Sequence, residues 1–173
     1  MKIVIDAGHG GKDAGAVNGG KYEKAVTLAT AKILKRALEE AGHAVILTRE
    51  TDVFLELSER CKISNQANAD LFISLHCNSS TNKTAQGIET WKYQGSNNPY
   101  AVNVQKRLIE ATDAKDRGVK DGTFYVLLGT KCKAILVEMG FISHDEESVK
   151  LFKTYYQTTI AKAIVRGIID TVS

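Results

Sequence analysis

The apolar positions of this chain fall into two alternating signatures. Ile3-Val4-Ile5, Ala44-Val45-Ile46-Leu47, Leu71-Phe72-Ile73 and Ala134-Ile135-Leu136-Val137 are unbroken runs with no polar residue at every second place. Such runs suit strands buried on both faces of a sheet. Between them, apolar residues recur three and four apart. Val26, Ile33, Leu34, Ala37, Leu38 and Ala41 share one face of a helix over residues 23–41, and Gly42 is placed to stop it. Leu57, Cys61, Ser64 and Ala67 keep helical spacing over 54–68, and a further helix is read over 97–113. Tyr156, Ile160, Ala163, Ile164, Gly167 and Ile168 stripe a C-terminal helix. Residues 87–93 alternate, as a strand nearer an edge would. Residues 12–22 and 77–86 read as polar loops, Arg117-Gly118 as a turn, and Phe124 to Leu128 as a short extended piece. Strand, helix and strand within the first fifty residues make a βαβ unit, which implies parallel strands. The expected fold is α/β: a largely parallel, mixed and twisted sheet of about six strands, with helices on both faces. No repeat, low-complexity segment or internal boundary interrupts residues 1–173, so one domain is expected.

Composition narrows the class without naming it. With 43% hydrophobic and 25% charged residues and one proline, the 173-residue chain is an ordinary globular sequence with enough length for a sizeable core. A net charge of +3 is too small and too evenly spread to point to nucleic acid. Cys61, Cys77 and Cys132 are scattered and odd in number, with no CxxC pair, and read as reduced thiols. No run approaches the length of a membrane span, and Met1 leads directly into the first strand, so neither membrane insertion nor a signal peptide is expected.

Chemistry is concentrated where strands end. In open parallel sheets functional groups gather beyond the carboxyl ends of the strands. His9 follows the first strand in a glycine-rich turn, His76 closes the third, Glu138 closes the late apolar strand, and Glu23 opens the first helix on the same rim. Two imidazoles and a carboxylate with an open fourth position are the ligand set of catalytic zinc. Such a metal lowers the pKa of a bound water from about 15.7 to about 7, and a further carboxylate is then needed to move protons. The spacing is unlike the local H-E-x-x-H zinc helix, so the fold itself must assemble the site. A rival pattern, Gly15 to Lys21, fits the first seven places of a phosphate-binding loop, G-x-x-x-x-G-K. Tyr22 stands where that loop needs Ser or Thr, and the first glycine lies too far past the strand, so the match is assigned to chance.

The rest of the chain carries a more specific signal. Asp6-Ala7-Gly8-His9-Gly10-Gly11-Lys12-Asp13, Glu23-Lys24, Leu47-Thr48-Arg49, Ile73-Ser74-Leu75-His76-Cys77-Asn78, Gly87-Ile88-Glu89-Thr90, Arg117-Gly118-Val119 and Val137-Glu138-Met139-Gly140-Phe141-Ile142-Ser143 follow one another in order. They resemble the successive motifs of the zinc-dependent N-acetylmuramoyl-L-alanine amidases, type 3 catalytic domain, over essentially the whole chain. The resemblance implies one zinc per chain held by His9, Glu23 and His76, with Glu138 as the catalytic carboxylate. It implies peptidoglycan as the partner, cleaved at the amide between N-acetylmuramic acid and the first L-alanine of the stem. Such domains occur in autolysins, sporulation lysins and phage endolysins, which act on the bacterial cell wall. Cys77 stands where the family often has a small residue, and His144 where it often has asparagine. No repeat or further domain for wall attachment is read from the chain, so its route to the wall is unexplained.

Several residues keep two readings. Ser74, His76 and Asn78 share one strand face by the period of two, which makes Asn78 a candidate for substrate binding or for support of the site. Cys77 points the other way, toward packing. Glu89 is either a second carboxylate near the site or a strand residue paired across the sheet. Arg49 and Arg117 read as salt-bridged scaffold, His144 as a helix-start residue and His43 as structural. Two rival functions are a non-catalytic wall-binding module and a zinc hydrolase of another bond. A monomer is expected, since no amphipathic helix is left without a core to cover.

Overall fold

A computed structural model describes residues 1–172. In chain order it contains β1 (Lys2–Ala7), a small hairpin of β2 (Val17–Asn18) and β3 (Lys21–Tyr22), α1 (Glu23–Glu40), β4 (Ala44–Leu47) and α2 (Leu57–Gln66). There follow β5 (Leu71–Asn78), β6 (Ile88–Tyr93), α3 (Pro99–Thr112), β7 (Asp116–Gly122), α4 (Tyr125–Leu128), β8 (Lys133–Phe141), α5 (Asp145–Leu151) and α6 (Thr154–Val172). Six strands form one sheet in the order β4-β1-β5-β8-β6-β7. β4, β1, β5 and β8 run parallel, whereas β6 pairs antiparallel with β8 and parallel with β7. Because β6 runs the other way, its first residues lie at the rim where β1, β5 and β8 end.

The runs of β1, β5 and β8 occupy the sheet centre, as their lack of alternation requires, whereas the Ala44–Leu47 run is not buried on both faces: it forms the edge strand β4, with Ala44 and Ile46 exposed. Ile3, Val4 and Ile5 of β1 and Leu71, Phe72 and Ile73 of β5 are fully buried. Odd-numbered residues of β1 and β5 face a large core under α1, α3 and α6, while Val4, Phe72 and Leu136 face a smaller one under α2 and α4. The expected α6 stripe is buried in full. Gly167 within it lets α6 approach α3 closely, since a Cβ there would lie 2.6 Å from the Val104 backbone. No helix among the described residues is long and apolar enough to cross a membrane.

Four local expectations are corrected. Residues 12–22 contain the β2–β3 hairpin, closed by Gly19 and Gly20 in left-handed conformations. The segment around Arg117-Gly118 is a complete edge strand, β7; an edge strand needs little apolar content, and only Val119 supplies it. Phe124 to Leu128 is not extended: residues 125–128 form one helical turn, in which the Leu127 and Leu128 amides donate to the Phe124 carbonyl and the Gly129 amide to that of Tyr125, and which buries Val126 and Leu127. Helix α2 begins at Leu57, three residues late, where Glu56 and Glu59 form a reciprocal capping box. Its buried face is Arg60, Cys61 and Ser64, leaving Leu57 52% exposed.

Candidate metal and catalytic site

The turn after β1 is held by charge. Gly8 donates to the Leu75 carbonyl at 3.1 Å, and His9 then adopts a left-handed backbone conformation (φ 62°) that is unfavourable for a residue with a Cβ. Two buried arginines brace it. Arg49 donates to the carbonyls of Ala7 at 2.9 Å and Gly8 at 3.1 Å. Arg60 donates to those of Ala7 at 2.8 Å and His9 at 2.9 Å. Arg60 is balanced by Asp6, 2.8 Å away, whose carboxylate also accepts from the Thr48 and Ser74 hydroxyls at 2.7 Å each. The missing side chain of Gly8 makes room for the His76 ring, which a Cβ would approach to 2.4 Å.

Glu23, the first residue of α1, is buried and bridges the two histidines. Its Oε2 lies 3.1 Å from His9 Nε2 and its Oε1 lies 3.1 Å from His76 Nδ1. The imidazoles meet edge to face, with centroids 4.9 Å apart. One donor atom from each of the three residues lies within 4.8 Å of the others. The Ala16 and Cys77 amides each donate to Glu23 at 2.8 Å, fixing the carboxylate plane. Burial works against the Glu23 charge, yet the two histidines outweigh it and hold its carboxyl well below the usual range. Burial likewise opposes the His9 imidazolium, but Glu23 and Asp13 raise its pKa to about 9. Asp13 Oδ2 sits 2.8 Å from His9 Nδ1, so the other ring nitrogen of His9 faces Glu23. This trio could hold a metal ion.

Two more carboxylates stand beside the trio. Glu138 on β8 is in register with His76 on β5 and with Glu89 on β6. Its Oε2 is buried with no hydrogen-bond partner among the described residues, and burial pushes its pKa up to about 7. Glu89 is 2% exposed and saturated: Asn78 Nδ2 (2.9 Å), Trp91 Nε1 (3.1 Å), Arg117 Nε (2.7 Å) and Lys120 Nζ (2.6 Å) all donate to it. Burial alone would raise Glu89, but Lys120 and Arg117 hold it below the usual carboxylate range. Of the two sequence readings of Glu89, its partners therefore favour the fixed charge over the proton carrier, and Asn78 is its donor.

A cavity of about 420 Å³ opens beside these groups, reached by His9, His76 and Glu138 and walled by Phe54, Leu57, Phe124 and Tyr125. Cys77 packs into the larger core and His144 caps α5, as the sequence suggests. Arg49 is scaffold too, but through backbone carbonyls and the Thr27 hydroxyl rather than the expected salt bridge, whereas Arg117 is ion-paired, with Glu89. Three supporting residues escape sequence reading. Asp13 carries a readable signal, four residues after His9 in the same turn. Arg60 is hidden because a buried arginine does not register in an apolar stripe. Glu147 accepts from the Gly87 amide at 2.9 Å and the Phe141 amide at 2.6 Å, tying the start of β6 to the end of β8.

Comparisons with known proteins agree with this architecture. A family model described as N-acetylmuramoyl-L-alanine amidase matches residues 3–170. The chain is 39% identical to the protein YqiI of Bacillus subtilis, over 96% of its own length and 82% of that protein. It is 37% identical to the N-acetylmuramoyl-L-alanine amidase LytC of the same organism, covering 97% of this chain but 35% of LytC. Among solved structures, the catalytic domain of the amidase CwlV from Bacillus (Paenibacillus) polymyxa superposes with a TM-score of 0.94 at 37% identity, covering 99% of this chain and 97% of that one.

Proposed function

This chain belongs to the N-acetylmuramoyl-L-alanine amidase family, and on that premise we propose that it hydrolyses peptidoglycan at the amide between N-acetylmuramic acid and the first L-alanine of the stem peptide. The observation that carries the mechanism is the pairing of a three-residue donor set with an unpartnered carboxylate in the adjacent register position. The donors suit zinc in kind: His9 Nε2, a Glu23 oxygen and His76 Nδ1 would hold it. When bound, zinc would supply Lewis acidity to a water and to the substrate carbonyl.

The remaining work belongs to the chain. Asp13 holds the Nδ1 side of His9, which keeps Nε2 for ligation. Glu138 takes a proton from the attacking water and returns it to the alanine nitrogen as the C–N bond breaks. A pKa of about 7 suits a group that must accept and donate in one cycle at neutral pH. Glu89 stays ionised beside it, and its like charge helps to keep Glu138 protonatable. Both sheet faces are already covered by helices, which supports a monomer; a dimer by light scattering at micromolar concentration would contradict it.

The test is digestion of purified peptidoglycan with chemical analysis of the new ends. The expected products are free alanine amino groups without new reducing sugar ends. New reducing ends would indicate a glycosidase, new amino groups on other residues a peptidase, and an unaltered wall a binding module; each would overturn the proposal.

A further inference from the structure

One cross-strand row runs along the rim of the sheet. It passes from His76 on β5 to Glu138 on β8 and Glu89 on β6, and reaches Arg117 in an irregularity of the β6–β7 pairing. The row therefore starts at the candidate metal ligands and ends on cations. Arg117 and Lys120 both bind the same oxygen of Glu89, at 2.7 and 2.6 Å. One buried carboxylate cancels one of these two charges and leaves the other in surplus.

The surplus is directed and accessible. The Arg117 and Lys120 side chains are 28% and 33% exposed. Arg117 uses Nε on Glu89 and reaches the Gln86 carbonyl only at 3.5 Å through Nη1, and Nη2 has no partner among the described residues. Each cation also lies over an aromatic ring: the Arg117 guanidinium 4.8 Å from the Phe141 centroid and Lys120 Nζ 5.3 Å from that of Trp91. These supports fix both donors before any ligand arrives, which lowers the ordering cost of binding. Neighbouring acids do not quench the pair. Asp121 is engaged by Lys92, and Asp116 accepts from Gln105 of α3, which packs on the opposite face of the sheet.

We infer that Arg117 and Lys120 form a recognition site for a carboxylate on the stem-peptide side of the scissile amide. The inference rests on the amidase reading above and adds to it the direction in which substrate lies. A stem peptide carries free carboxylates beyond its first alanine, whereas the sugar side presents hydroxyls and an acetamide near the cleaved bond. A planar guanidinium with a free edge beside an ammonium matches a carboxylate and has no comparable use for a neutral sugar. The arrangement thus places the peptide toward β6 and β7 and reads its charge.

The test compares two muramyl peptides that differ only in the residue after alanine, whose α-carboxylate is free in one and amidated in the other. With wild-type protein, amidation is expected to raise KM about tenfold with kcat within about twofold, the effect of one charge-assisted hydrogen-bonded contact. In Arg117→Gln the two substrates should converge to within about twofold in KM, with Lys120→Gln shifting in the same direction. The zinc content should not move, and any shift in the pH profile of kcat that reaches Glu138 through Glu89 should be the same for both peptides, whereas the change in KM should not be. Equal handling of both peptides by wild type, or an Arg117→Gln effect that is the same for both, would overturn the site and reduce Arg117 to a support for Glu89. If wild type cleaves neither peptide, the amidase reading fails, and calorimetry with the free stem peptides decides the site by itself. A roughly tenfold preference for the acid over the amide that Arg117→Gln abolishes would support it, and equal affinities would overturn it.

Discussion

Glu138 and Glu89 face each other as a registered antiparallel pair on β8 and β6, and their surroundings drive them to opposite protonation behaviour. Four donors surround Glu89, two of them cationic, so it remains a carboxylate. Glu138 has a buried oxygen with no donor among the described residues, and burial raises its pKa to about 7. Two glutamates one strand apart are thus split into a fixed charge and a proton carrier. Environment, not residue type, makes the assignment.

Substitution separates those roles. Glu138→Gln preserves shape and removes no zinc donor, so it should retain the metal and the fold while lowering the rate of wall hydrolysis by about 10²–10⁴. Turnover above about a tenth of the wild-type rate, measured on a preparation of known zinc content, would remove Glu138 from the catalytic role. Glu89→Gln should act differently, because it strands Arg117 and Lys120 beside a neutral amide. A loss of roughly 1–3 kcal/mol in unfolding free energy is expected there.

His76 tests the donor set. His76→Ala removes one of the three groups gathered by Glu23 and should abolish zinc retention and activity together, since two donors bind zinc poorly. Glu23 keeps its Ala16 and Cys77 amide partners, so the fold should survive. Full zinc occupancy of this variant by metal analysis would refute the assignment.

Much of this was legible in the chain for a physical reason. Buried parallel strands leave unbroken apolar runs, and their ends mark the rim where His9, His76 and Glu138 had to arrive. The long helices α1 and α6 announce themselves by stripes. What stayed illegible depends on partners distant in sequence. Arg60 looks like a solvent residue until Asp6 lies against it, and Lys120 has no meaning before β7 is placed next to β6. The β7 segment is polar because an edge strand buries little, so no pattern declared it. The likeness to a known family singled out His9, Glu23, His76 and Glu138, and the structure brings those four to one rim. No spacing rule told apart the two readings of Glu89, because that depends on which donors surround it.

Arg60 is expected to support the site through the backbone rather than by touching substrate. Arg60→Met removes five side-chain hydrogen bonds to four residues and leaves Asp6 buried, with the Thr48 and Ser74 hydroxyls as its remaining side-chain partners among the described residues. Breaking one member of a buried pair typically costs about 3–5 kcal/mol, and denaturant unfolding should show a loss of that order. The same change frees the His9 carbonyl from its brace. Zinc affinity, measured by chelator competition on the folded fraction, should therefore fall about 10- to 100-fold, as for other partners that orient a ligand. Unchanged affinity would mean that Arg49 alone holds the turn.

In the metal-free protein His9 titrates near 9 instead of 6.5, because Glu23 and Asp13 overcome the effect of burial. A raised folded-state pKa stabilises the fold fully below about 6.5, and the contribution is lost as pH rises through about 9. Glu23 has the opposite sign: its lowered pKa stabilises the fold above 4.5 and ceases to do so as pH falls through its folded value. Between these limits the metal-free site is an imidazolium–carboxylate pair, and zinc can take His9 Nε2 only by displacing its proton. Apparent zinc affinity should then rise about tenfold per pH unit up to about pH 9, with about one proton released per zinc at neutral pH. Titration calorimetry in buffers of different ionisation enthalpy measures that release. Glu138→Gln is the right background, because it removes the nearby group that titrates at about 7. Zinc binding without proton release between pH 6.5 and 8 would show that His9 is already neutral in the metal-free protein and that Glu23 does not hold its proton.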